Sequence, residues 1–154
     1  MLALARDGMH VRVYAGPTWS KWLTKSGARS LLEVRGPAVG LDYARAIAGS
    51  TISLAFLSRL NRDTYTRRNF EIPASQGLML SERTDDLGHL YKDGSEALFF
   101  SDTEDLLERS RFVLENPQEA QQIALRGHQR AVGSGYDLDS RMADMISDVE
   151  RLRS

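Results

Sequence analysis

The sequence predicts an α/β domain built on a mostly parallel sheet with helices on both faces, and three observations carry that prediction. Up to residue 100, short β-rich runs alternate with helical stretches. Strands separated by helices of these lengths pair in parallel and need cover on both faces. From Ser101 onward the pattern turns to helices alone. The chain of 154 residues fits one domain of the usual roughly 100–200 residues, enough to bury a single core.

In order, "MLALARDG" reads as the tail of a helix ended by a glycine, and "MHVRVYAG" as a strand carrying valines 11 and 13. In alternating architecture such a helix follows a strand of the same sheet, so a chain starting inside it is expected to lack its first strand. "GPTWSKW" is an irregular turn or a short helix, "SLLEVRG" a second strand, and "LDYARAIAGS" a brief helix ending near Gly49. "TISLAFL" is the clearest buried strand. The polar loop "SRLNRDTYT" leads into a helix from Arg67 to about Gln76. "LMLSE" is a strand stopped by "RTDD", "DDLGHLYKDG" a small helix and turn, and "EALFF" another strand. "SDTEDLLERSRFVLEN" has Ser101 or Asp102 as N-cap, and the next helix starts on Pro117, a residue suited to a first helical position. "LDSRMADMISDVERLRS" closes the chain as an amphipathic helix.

Twenty Lys+Arg against 21 Asp+Glu leave a net charge of -1, so no global field draws phosphate backbones or anionic lipid, and nucleic acid is not an expected partner. The absence of cysteine removes disulfides and thiolate metal sites and fits a reducing compartment, so the expected localisation is cytoplasmic. The weakly polar stretch 46–57 is too short for the roughly 20 apolar residues of a membrane span, and "MLALARDG" lacks a signal-peptide core, so no membrane segment or export signal is read. His10, His89 and His128 stand apart without carboxylate or cysteine partners at ligand spacing, so no metal site is expected. Trp19 and Trp22 could form a stacking platform, but core packing or a domain interface is the favoured reading. No GxSxG, Walker or GxGxxG pattern occurs, which argues against hydrolase, NTPase and dinucleotide-oxidoreductase readings.

Chemistry concentrates in "SRLNRDTYTRRNFE", between the "TISLAFL" strand and the next helix. Open parallel sheets bind ligands in such loops, at the carboxyl ends of their strands. Arg67 and Glu71 are four apart and Arg68 and Glu71 three apart, so either pair can meet on one helix face. Taken alone, such a pair is a surface ion pair worth about 0.2–0.5 kcal/mol. Here the segment also carries Arg59 and Arg62, and its helix contains Pro73. Clustered guanidinium groups suit a diphosphate, which they bind bidentately near a helix start, and an ionised carboxylate suits sugar hydroxyls because it only accepts. Together they point to a nucleotide-sugar.

The run "NRDTYTRRNFEIPA", followed by "GLMLSERTDDL" and "EALFF", resembles the C-terminal half of group 1 glycosyltransferases, in particular the branch of CgeB-like spore maturation proteins, over about residues 9 to 150. The resemblance implies a GT-B fold, two Rossmann-like domains facing a cleft, with this chain as the C-terminal, donor-holding one. It implies a single nucleotide-sugar-binding domain over residues 1–154, N-terminally truncated. Glu71 matches the second of two acids separated by seven residues and is implied to accept from the donor's ribose hydroxyls. Asp63 stands at the first, implied to contact the transferred sugar; it replaces the commoner glutamate, which shortens the reach by about 1.5 Å. Arg68 matches the arginine of the family's "R-x-F-E" pattern and is the implied phosphate ligand, with Arg59 and Asn61 as further candidates. Gly77 matches the glycine that ends the donor-site helix and lets backbone approach ligand or the next strand, although a plain C-cap explains it equally from sequence. Gln76 stands where the branch often has a second glycine, which leaves the backbone shape there open.

The expected activity is therefore transfer of a sugar from a nucleotide diphosphate sugar, a substrate and not a resident cofactor, to an unknown acceptor. The longer protein is expected to be the enzyme and this piece alone inactive. An apolar face left by an absent partner domain would favour self-association as a homo-oligomer. The competing expectation is a non-catalytic α/β module binding a nucleotide or a protein, and a third is a folded remnant without ligand.

Overall fold

The structure, a computed structural model, describes residues 1–25 and 27–153. In chain order the elements are α1 (Leu2–Arg6), β1 (Arg12–Tyr14), α2 (Pro17–Lys25), a single 3-10 turn at Arg29–Leu31, β2 (Glu33–Arg35), α3 (Leu41–Ala48), β3 (Ser53–Ala55), α4 (Arg68–Ala74), β4 (Met79–Glu82), α5 (Asp85–Leu90), β5 (Leu98–Phe100), α6 (Thr103–Glu115), α7 (Pro117–Gly133) and α8 (Leu138–Arg153). Every ladder is parallel. β1 pairs with β2, Val13 opposite Val34. β3, β4 and β5 form a second ladder in that order, with Leu54 opposite Leu80 and Leu80 opposite Leu98.

Alternation along the strands explains the helices on both faces. Leu54, Leu80, Leu98 and Phe100 point to one side, where they pack with Leu4 of α1, Leu106 and Val113 of α6, Ala120 and Ile123 of α7, and Val11, Leu23 and Leu32 from around β1 and β2. Ala55, Met79 and Phe99 point to the other, against Ile47 of α3, Ile72 of α4 and Leu87 of α5. A strand apolar on both faces has to be covered twice, so β5 reads as an unbroken hydrophobic run and β4 as one up to Leu80.

Three elements settle or correct the sequence reading. "TISLAFL" is not the most buried strand: Ser53 and Leu54 are half-buried and only Ala55 is fully buried, whereas all of β5 and the first three residues of β4 are buried. β3 and β5 are both edge strands of that ladder, so pairing does not separate them; Leu98 and Phe100 of β5 are covered by Leu106 and Val113 of α6, whereas β3 runs out into the polar loop before α4. "GPTWSKW" is regular helix, opened by Pro17, whose fixed φ suits a first helical position. The last helix has no buried residue at all, and its final expected residue, Ser154, lies outside the described residues.

One close approach sets where α7 lies. A Cβ on Gly127 would overlap the Glu96 carbonyl, so α7 rests its backbone on the turn before β5. Arg126 Nε donates to the Ser95 carbonyl at 2.8 Å beside it.

Candidate functional site

In a parallel sheet every strand ends at the same rim, and the connections leaving that rim enter the following helices. The segment between β3 and α4 is held there by three ties. The Leu57 amide donates to Glu82 Oε2, at the end of β4, at 2.8 Å. The Phe56 ring meets Phe100, at the end of β5, edge-on at 5.8 Å. The Thr84 hydroxyl donates to the Thr64 carbonyl at 2.7 Å and accepts from the Leu87 amide at 3.1 Å, so the N-cap of α5 also pins the loop.

Asp63 closes a turn inside this loop. Its amide donates to the Ser58 carbonyl at 3.1 Å, and its Oδ2 accepts from the Ser58 amide at 3.3 Å. Among the described residues no hydrogen bond or ion pair joins Asp63 to Glu71 or Arg68. Asn61 and Arg59 sit exposed at the loop tip, where Asn61 N donates to Ser58 Oγ at 3.3 Å. Arg62, next to them, takes a left-handed φ of 54°.

The start of α4 is fixed by a buried polar residue that sequence reasoning missed. Asn69 is fully buried. Its Oδ1 accepts from the Thr66 amide at 2.8 Å and the Thr66 hydroxyl at 3.2 Å, while its Nδ2 donates to Ser81 Oγ on β4 at 2.9 Å. The Asn69 amide in turn donates to the Thr66 carbonyl at 3.0 Å, a reciprocal arrangement like a capping box. Pairing every polar atom inside an apolar layer removes the desolvation cost and leaves one orientation for the first turn of α4. The only visible signal was an asparagine inside "RRNFE", between Arg68 and Phe70.

The other end of α4 shows how Pro73, Gln76 and Gly77 divide the work. Pro73 is in the last turn, where its missing N–H costs only the bond back to the Asn69 carbonyl, and the helix ends one residue later at Ala74. Gln76 N donates to the Pro73 carbonyl at 2.9 Å and Gly77 N to the Ile72 carbonyl at 3.0 Å, a Schellman arrangement. The left-handed residue is Gln76, at φ 62°, so glutamine adopts the shape a glycine would. Gly77 is needed for a different reason: a Cβ there would overlap Ile47 Cγ2 and crowd Ile72. It lies buried between α4 and β4.

Glu71 is the centre of the charged constellation. Arg67 Nε reaches its Oε1 at 2.8 Å, so the four-residue spacing wins over the three-residue one. Its Oε2 accepts from the Tyr43 hydroxyl at 3.0 Å, a contact from α3 across 28 residues of chain. Burial first, then the hydrogen bond to Glu71, push the Tyr43 hydroxyl above its ordinary pKa, and the adjacent Arg68 guanidinium pulls partly the other way. Arg68 therefore stands beside the same hydroxyl. Among the described residues no ion pair joins Arg59, Arg62 or Arg68 to a carboxylate, and Glu71 keeps free lone pairs beyond its contacts with Arg67 and Tyr43.

Other features lie apart from this cluster. A shallow cavity of about 450 Å³, lined by Arg12, Tyr14, Arg35, Pro37, Asp42 and Arg45, opens on the flank of α3 opposite Tyr43. Trp19 and Trp22 are not core residues; they pack edge-on at 5.5 Å and are both exposed. His128 Nδ1 bonds the Pro73 carbonyl at 3.0 Å, and His10 sits beside Glu33 at 2.8 Å. Tyr136 packs on Phe70 and Tyr91 and donates to the Leu90 carbonyl, with Arg141 over its ring, so both act in packing. No described helix is long and apolar enough to cross a membrane.

The architecture recurs in solved structures. Sucrose-phosphate synthase from Thermosynechococcus elongatus superposes with a TM-score of 0.73 at 10% identity, over 98% of this chain and 41% of that one. Anabaena HepE, solved with UDP-glucose and with UDP, gives TM-scores of 0.67 and 0.64 at 13% and 14% identity, over 85% of this chain and 36% of that one. The chain thus spans well under half the length of these proteins. At such identities the likeness establishes a fold, the Rossmann-like α/β fold of GT-B glycosyltransferases, with parallel strands flanked by helices. No curated protein sequence matches the chain. The sequence profile of the glycosyl transferase-like family, however, matches residues 1–147, nearly the whole of the parallel sheet and its covering helices, and the chain belongs to that family.

Proposed function

We propose that this chain is the donor-binding domain of a GT-B glycosyltransferase of the CgeB-like branch, which transfers a sugar from a nucleotide diphosphate sugar to an acceptor. The observation that carries the reading is the meeting of Glu71, Tyr43 and Arg68 where α3 and α4 leave the strand ends, next to the exposed arginines of the preceding loop. Glu71 accepts from the ribose hydroxyls, Arg68 neutralises the diphosphate with help from Arg59 and Asn61, and Asp63 faces the transferred sugar. Gly77 contributes by letting α4 sit close on its neighbours. The HepE structures with UDP and UDP-glucose support a uridine nucleotide as the first donor to try.

In this scheme the protein contributes positioning and charge. Arginines that bind the leaving diphosphate more strongly as its charge develops lower the barrier, and the arrangement calls for no resident cofactor or metal. The cysteine-free sequence fits a cytoplasmic enzyme. Calorimetric titration of the folded chain with UDP, GDP and ADP tests the reading. Saturable binding that disappears in Glu71→Ala and Arg68→Ala supports it, and a folded chain that binds none of the three overturns it.

A further inference from the structure

We propose that Tyr43 is the positioning residue of this site: its hydroxyl holds the Glu71 carboxylate in place, and with it the site's preference for ribonucleotides over their deoxy analogues. The inference rests on the donor-site reading above. Glu71 has two polar partners, and they are unequal. The Arg67 side chain is 87% exposed, so its grip on Oε1 is screened by water and costs the order of a long side chain. Tyr43 comes from another element, is partly buried, and packs against the same apolar cluster that contains Ile47, Ile72 and Met79. Its hydroxyl is carried on a ring with two rotatable bonds, so the 3.0 Å bond to Oε2 has little freedom to lose.

Geometry gives the bond its consequence. A carboxylate offers about four lone-pair positions. One on each oxygen is taken, by Arg67 and by Tyr43, which leaves one on each for a pair of neighbouring hydroxyl donors such as those of a ribose. Without Tyr43, Glu71 would follow Arg67 toward solvent, and both free positions would move together. The Arg68 guanidinium is near enough to the Tyr43 hydroxyl to pull its pKa down, so the same phenol neighbours the candidate phosphate cation and the candidate ribose carboxylate. A site that binds a hydroxyl through a held acceptor discriminates strongly against the analogue that lacks it.

Tyr43→Phe removes one oxygen and keeps the packed ring. Calorimetry on the full chain with UDP and with 2′,3′-dideoxy-UDP tests the inference. For UDP we expect the affinity of Tyr43→Phe to fall by about tenfold or more, the worth of one hydrogen bond to a charged group, with dideoxy-UDP bound as by the parent chain. Adding Tyr43→Phe to Glu71→Gln should cause no further loss, because the two residues act as one unit. Unchanged UDP affinity in Tyr43→Phe, or an equal loss for both ligands, overturns the inference: the first leaves the hydroxyl idle, and the second reports ring packing or damaged folding. If UDP binding depends on Arg68 and Glu71 but not on Tyr43, only this inference falls. If the parent chain binds none of UDP, GDP and ADP, the donor-site reading falls and takes it along.

Discussion

Gln76 holds a left-handed backbone angle that disfavours any residue with a Cβ, and it does so because the Schellman turn after Pro73 requires that angle. Replacing it by glycine removes the strain at the cost of a more flexible unfolded chain. We expect Gln76→Gly to stabilise the chain by about 0.5–1 kcal/mol in urea unfolding, the usual size of a relieved left-handed residue. Its neighbour behaves oppositely. Gly77→Ala would drive a methyl into Ile47 and Ile72, and we expect it to destabilise by about 1–3 kcal/mol, as overpacking does. The sequence pointed to both positions as special and could not say which one turned the chain and which one packed. That division depends on Ile47, which is distant in sequence. The same limit applies at the site. Arg67, Arg68 and Glu71 were legible because helical spacing is local, whereas Tyr43 reaches Glu71 across 28 residues and left no periodic trace.

At the scale of elements, hydrophobic alternation located the strands, and capping chemistry located Asp102 and Pro117 at the starts of α6 and α7. It misjudged β3, because composition reports how apolar a run is and not which helices cover it. Thr84 illustrates an element end with two duties. Thr84→Ala removes the cap of α5 and the tie to Thr64 together, so we expect a loss of about 1–2 kcal/mol, at the upper end for a cap. Hydrogen exchange should show faster exchange across residues 56–67 in that variant, and unchanged protection there would mean the loop does not depend on the tie. The last helix gives the converse case. Leu138, Met142, Met145, Ile146, Val149 and Leu152 are all about half or more exposed, and no residue of α8 is buried. A helix of this length is marginal in water without packing. We therefore expect α8 amides to exchange faster than those of α6 and α7 by native-state hydrogen exchange; equal protection would require a packed face.

For the whole molecule, acidity acts unevenly because the ladder β1–β2 carries ion pairs on its solvent side in addition to apolar contacts, whereas the ladder β3–β4–β5 rests on apolar burial. The second is stabilised by apolar burial on both faces, which is indifferent to protons. The first carries Glu33 between Arg12 and Arg35, and those hydrogen bonds lower its pKa from 4.5 to about 2. Asp7, hydrogen-bonded by Arg111 across α1 and α6, is also held below its ordinary value. A carboxylate whose pKa is depressed on folding contributes stability that is complete above its unfolded pKa and lost as pH falls toward the folded one. For Glu33 that window runs from 4.5 down to about 2. All of these groups are exposed, so water and salt screen them and the effect should shrink at high ionic strength. We expect the melting temperature to fall as pH drops through that window. Arg111→Ala leaves Asp7 without its guanidinium partner and should flatten the fall, because an unpaired carboxylate titrates alike in both states; Arg12→Ala removes the stronger of the two bonds to Glu33 and should flatten it in part, since Arg35 remains. A slope unchanged in both variants would place the acid sensitivity elsewhere in the molecule.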